Sequence, residues 1–202
     1  MGRQDPPSNG EAMAVDIVHH RFNVAEYEAM IRHGILTDRD RVELIAGEIV
    51  EMPPPNPPHS GDVNFLSHFF TMRLGRRAMV ANQQAVEIPP DSMPQPDLML
   101  LRWRDDFYRG KRPYPEDVLL LIEVADTSMR RDRILKLRIY ANAGIAECWI
   151  VDINGSSVEA YTEPVDDGYA KRLVARGGDR LSPTAFPDIN VGAAEILGER
   201  EE

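Results

Sequence analysis

Residues 118–128 read VLLLIEVADTS and set one carboxylate, Glu123, inside the most apolar run of the chain. A continuous run of Leu, Ile and Val belongs to a strand covered on both faces. Burying an unpaired charge there is expensive, so Glu123 requires a partner. Upstream, residues 96–101 (PDLMLL) form a second apolar run that opens on Asp97. Downstream, residues 130–144 (RRDRILKLRIYANAG) read as a helix closed by Gly144, and residues 147–153 (ECWIVDI) as another buried strand. Asp126, Thr127 or Ser128 supplies the helix cap. Strand, helix and strand from Val118 to Ile153 make a βαβ unit, whose crossover is expected to be right-handed.

Working outward, residues 1–20 are rich in Pro, Gly and polar residues without periodicity and read as a disordered tail. Asn23 with Glu26 forms a capping box, Phe22 and Tyr27 a hydrophobic staple, and the helix that follows ends near Gly34. Residues 41–52 read as a hairpin around Ala46-Gly47 that carries Glu43 and Glu48 and mixes the sheet. Residues 52–58 (MPPPNPP) are a stiff connector, excluded from helix and central strand, that delivers His59 to a helix over 60–77. Val63, Leu66, Phe69, Phe70 and Leu74 fall at helical spacing along it. Strands are expected over 79–81, 84–88, 97–103 and 169–175, with an Asn154-Gly155 turn into residues 158–162. A single domain spans 21–197, ahead of an acidic tail over 198–202. The fold class is α/β, or α+β by a stricter definition: a central mixed sheet flanked by helices.

The chain of 202 residues is long enough for one substantial core. A single cysteine, Cys148, excludes an internal disulfide framework, and beside Trp149 it reads as a buried inert thiol. With no long apolar run and no signal-peptide pattern, a cytoplasmic protein without membrane association is expected. The net charge of -10 argues against a broad nucleic-acid-binding surface. Basic residues nevertheless cluster at 102–112 and 130–138, both expected beside the two carboxylates. There is no P-loop, no G-x-G-x-x-G, no G-x-S-x-G elbow to unite Ser128 with His59, and no cysteine zinc site.

On adjacent strands, Asp97 and Glu123 converge on one hard cation, Mg²⁺ or Mn²⁺, suited to orienting water at a phosphate. Each acid also has a plainer reading: Asp97 as a turn residue after proline, Glu123 as the partner of a neighbouring arginine. Asp132, Lys136 and Tyr140 share one face of the following helix, at i, i+4 and i+8. Ile134, Leu135, Leu137, Ile139 and Ala141 make much of its remaining circumference apolar, so the helix is expected to be enclosed. Lys136 then either snorkels to the surface or is aimed at the acids.

These segments, from VELIAGEIVEM through QPDLMLL and LIEVADTS to AECWIVDI, resemble in order the Uma family, named for restriction endonucleases, within the PD-(D/E)xK nuclease superfamily. The resemblance implies a restriction-endonuclease-like core and divalent-metal-dependent cleavage of DNA, with Asp97 and Glu123 as metal ligands. It makes Lys136 and Glu43 further catalytic groups, with His59, Asp132 and Tyr140 as accessory residues. The chain departs from the superfamily at Ala125, where a lysine is expected two residues after Glu123; the resemblance places that lysine at Lys136. Cleavage of two strands implies a homodimer. Two alternatives use the same residues: an inactive nuclease fold with a binding or regulatory role, and a metal-dependent hydrolase of small phosphate compounds.

Overall fold

The computed structural model describes residues 18–37, 39–125 and 130–198, with the side chains of 130–132 outside the description. Residues 1–17 of the expected tail over 1–20, residues 199–202 of the acidic tail over 198–202, and the capping residues Asp126, Thr127 and Ser128 lie outside the described residues.

Helix α1 (Val24–Arg32) opens on the expected capping box: the Asn23 side chain accepts from the Glu26 N–H, and Glu26 accepts from the Asn23 N–H. Strands β1 (Val42–Ile45) and β2 (Glu48–Glu51) form the hairpin. It makes its own two-stranded sheet and does not mix the main one. A β-bridge from Leu44 to Met93 ties it to the segment ahead of Asp97. Helix α2 covers Pro57–Leu74, followed by a single 3-10 turn over Gly75–Arg77. The helix starts inside the proline-rich connector, because Pro57 and Pro58 occupy first-turn positions whose N–H groups would have no intrahelical partner.

The main sheet has six strands in the order β3 (Ala78–Asn82), β4 (Leu98–Arg102), β5 (Val118–Ala125), β6 (Glu147–Asp152), β7 (Ser157–Val165) and β8 (Gly168–Ala175). Only β5 and β6 are parallel, and α3 (Arg130–Asn142) connects them; the sheet is mixed through this one pair. Residues 84–88 do not join as a strand. The N–H groups of Val86, Glu87 and Ile88 go instead to Pro94, Pro113 and Ser92, so the segment folds over the sheet. Short strands β9 (Arg180–Leu181) and β10 (Val191–Gly192) and helix α4 (Ala193–Ile196) complete the chain.

The two-residue period of a strand divides the core. Leu98, Leu100, Leu120, Ile122, Val124, Trp149 and Val151 pack on α2. Met99, Leu101, Leu121, Cys148 and Ile150 face the other way, against Tyr140, Ile145, Val86 and Ile88. Asp97 and Glu123 belong by this alternation to the second face, the α3 side. Helix α3 is less enclosed than its composition suggests: Ile134 is 46% exposed and Leu135 41%, because the helix packs through one side, onto β7 and β8. The basic stretch 102–112 also falls elsewhere than expected. It joins the end of β4 to the start of β5, whereas Asp97 and Glu123 lie at the opposite ends of those strands. Among the described residues, no helix is long and apolar enough to cross a membrane.

Leu120, fully buried at the centre of β5, and Leu173, 56% exposed on β8, test this partition. Leu120→Ala should cost about 2–5 kcal/mol in urea unfolding, whereas Leu173→Ala should shift stability by no more than about 0.5 kcal/mol. Equal losses would contradict the assignment of faces.

Candidate functional site

Five side chains from five elements meet at one end of the sheet. Asp97 precedes β4, Glu123 lies near the end of β5, Glu43 on β1, His59 in the first turn of α2, and Lys136 in the middle of α3. All five line one cleft of about 240 Å³, together with Arg41, Glu51, Arg133 and the proline wall 53–55.

Lys136 holds the group together. Its Nζ lies 2.8 Å from Glu43 Oε1 and 3.4 Å from Glu123 Oε1. Lys136 is therefore aimed at the acids, and the partner of Glu123 is this lysine, not an arginine. Tyr140, one turn further along α3 and fully buried, donates its hydroxyl to Glu123 Oε1 at 2.5 Å. The second oxygen of Glu43 accepts the Gln95 N–H at 3.0 Å, which sets the hairpin against the segment entering β4.

Asp97 is held from two sides. Its Oδ2 accepts the Val124 N–H at 2.8 Å, and its Oδ1 lies 3.1 Å from His59 Nε2. It is thus more than a turn residue, since it staples the entry of β4 to β5. The bond to Asp97 raises the His59 pKa, against the opposing effect of burial. Burial pushes Glu123 up to about 7; Lys136 opposes that rise, and the charges of Asp97 and Glu43 add to it. Tyr140 lies well above its ordinary value, first through burial and then through the Glu123 charge. The side chain of Asp132 is outside the described residues. Cys148 is buried, and burial raises its thiol, as expected of an inert cysteine.

Three features have no advance signal in residue spacing. Asp62, one turn beyond His59, is buried and its pKa rises to about 6 through desolvation. Among the described residues, its Oδ2 and the Nδ1 of His59 find no hydrogen-bond partner. Arg133 pairs with Asp152 and with the buried Glu159 of β7, which also takes Arg172. Desolvation of Glu159 is overcome by Arg133, Arg172 and Tyr161, and its carboxyl is held down at about 2. The third is Arg41, at the foot of the hairpin.

A family model described as "Putative restriction endonuclease", Uma2, matches residues 24–194. The chain belongs to the Uma2 family. The match takes in every element that contributes to the cleft, from α1 through β10. The Uma2 fold seen here also matches a crystal structure of a "putative nuclease belonging to DUF820" from Anabaena variabilis. That match has a TM-score of 0.70 at 14% identity, over 88% of this chain and 98% of the other, and it establishes the shared fold. No curated protein matches the chain.

Because the folded-state pKa of Glu123 lies above the 4.5 of the free side chain, its ionisation works against folding as pH rises from about 4.5 to 7. Glu123→Gln removes that titration. In metal-free buffer its stability relative to the parent should therefore be greater at pH 8 than at pH 4, by on the order of 1–3 kcal/mol. A difference independent of pH would show that Glu123 titrates normally.

Proposed function

We propose that the chain is a divalent-metal-dependent endonuclease that hydrolyses DNA phosphodiester bonds. The observation that carries this reading is Lys136. It comes from a helix, yet its ammonium sits against Glu123 on the face where the superfamily lysine two residues along the strand would point. Membership of the Uma2 family supports the same reading.

The residues present suit a hard cation. Asp97 and Glu123 offer carboxylate oxygens from adjacent strands, and magnesium binds through as few as one or two carboxylates while keeping its waters. The lining of the cleft also holds four carboxylates, Glu43, Glu51, Asp97 and Glu123, against the three cations Arg41, Arg133 and Lys136. An anionic substrate entering it needs further positive charge. Among the described residues, no three His, Cys, Asp or Glu side chains gather into one metal-binding group.

Asp97 and Glu123 would hold Mg²⁺ or Mn²⁺, which would supply positive charge to the phosphate. Lys136, fixed by Glu43, directs its ammonium toward the attacking water and the charge developing on phosphorus. The water oxygen forms the new P–O bond and gives up a proton to solvent, one ester P–O bond breaks, and the leaving oxygen takes a proton from solvent. His59 orients Asp97 and Tyr140 orients Glu123, each through a hydrogen bond to the carboxylate. Hydrolysis of both strands of a duplex calls for two such sites, and we propose a homodimer, measurable by sedimentation.

A second reading has its own observation. Lys136 already offsets Glu43 and Glu123, and His59 bonds Asp97, so the cluster is partnered without a metal. A folded but inactive binding or regulatory protein would look the same.

Plasmid cleavage in Mg²⁺ or Mn²⁺ tests the proposal. The parent should cut, Asp97→Ala and Glu123→Ala should abolish cutting, and Lys136→Met should slow it by about 10²–10³-fold. A parent that neither cuts DNA nor gains thermal stability with either metal would support the inactive reading. Hydrolysis confined to nucleotides would point to a small-phosphate hydrolase.

A further inference from the structure

We infer that Arg41 grips a backbone phosphate flanking the scissile one, as the strand of nucleic acid runs along the proline wall of the cleft. This inference rests on the nuclease reading above and adds the residue that registers the polymer.

Three cations line the cleft among the described residues, and two are already committed. Lys136 is held by Glu43 and Glu123. Arg133 is held by Asp152 and by Glu159, which also binds Arg172. Arg41 differs: its side chain is exposed, and among the described residues it makes no ion pair or side-chain hydrogen bond. Glu51 lines the same cleft, and among the described residues it forms no ion pair with Arg41. The backbone at Arg41 is nonetheless fixed, because its carbonyl accepts the Met52 N–H at 2.8 Å. That bond roots the arginine where the chain turns from β2 into the prolines.

The wall itself explains why an arginine is needed. Pro53, Pro54, Pro55, Pro57 and Pro58 have no N–H to offer. Helix N-termini commonly bind phosphate through backbone N–H groups. Here the first positions of α2 are prolines, and the His59 N–H is taken by the Asn56 side chain at 3.0 Å. Exposed prolines give an apolar surface against which sugars and bases pack, but nothing to hold the charge between them. Arg41 stands at one end of this wall and the Asp97–His59 pair at the other. A strand laid along it has its scissile phosphate at the acids and a flanking phosphate at the guanidinium, which can bind it in a bidentate manner.

Salt dependence isolates the contact, because each phosphate neutralised on duplex DNA adds about 0.9 to the slope of log affinity against log salt. Binding of a short fluorescein-labelled duplex would be followed by anisotropy in calcium, across a range of KCl concentrations. Arg41→Gln should make the slope shallower by about 0.9, with Arg41→Lys restoring it, and should raise KM for cleavage in magnesium. A parent that binds the duplex, with an Arg41→Gln slope equal to its own, would overturn the role of Arg41 and leave the nuclease reading standing. A folded parent that neither binds nor cuts the duplex would overturn both.

Discussion

The ammonium of Lys136 lies between two carboxylates that the fold has removed from bulk water, and three separate parts of the chain meet through it. Glu43 comes from the hairpin, Glu123 from the sheet and Lys136 from the crossover helix. Removing the lysine alone would take away the charge that opposes burial, so Glu123, already pushed up to about 7, would rise further and hold its proton at neutral pH. Removing Glu43 would loosen the lysine and the hairpin together, since the other oxygen of Glu43 takes the Gln95 N–H. Position and charge are therefore set by one interaction. The apolar faces above and below the sheet supply the stability that lets such a costly cluster persist.

The same arrangement accounts for Ala125. Strand periodicity puts residue 125 on the face of Glu123, so a lysine there would reach the acids directly. Here the small side chain leaves that face open, and residue 125 lines the cleft beneath Lys136. An amine delivered from a helix differs from one on the strand in what else it brings. Tyr140, one turn further on, reaches the same carboxylate, while Arg133 on the preceding turn faces the Asp152 and Glu159 acids. Helix α3 thus presents a row of polar contacts to the sheet, and its apolar residues Ile134 and Leu135 are left half exposed on the outside.

Much of this was legible in the sequence because it is local. The run from Val118 to Ala125 is a strand over its full length, the Asn23–Glu26 capping box forms, and Ala46-Gly47 turns the hairpin. The acid inside an apolar strand signalled that a cation must approach. What could not be read is what depends on distant pairing. Residues 84–88 have strand composition, but their N–H groups find Pro94, Pro113 and Ser92 in place of a neighbouring strand. The hairpin looked like part of the main sheet because spacing alone does not say which edge a strand joins. The basic stretch 102–112 seemed near the acids because it lies between them in sequence, yet an antiparallel pair carries its connection to the far end. The contact between Asp97 and His59 depends on where α2 begins, and Pro57 and Pro58 start it earlier than their reputation as breakers suggested.

The proposed nuclease chemistry requires a metal ion at Asp97 and Glu123, served by a lysine from α3. The most direct measurement is a crystal structure of the parent protein soaked in Mn²⁺, with anomalous differences used to locate the ion. A peak is expected between the Asp97 and Glu123 carboxylates, with Lys136 Nζ still bonded to Glu43. Manganese bound elsewhere, or a cleft in which Lys136 bridges Glu43 and Glu123 and excludes the ion, would contradict it.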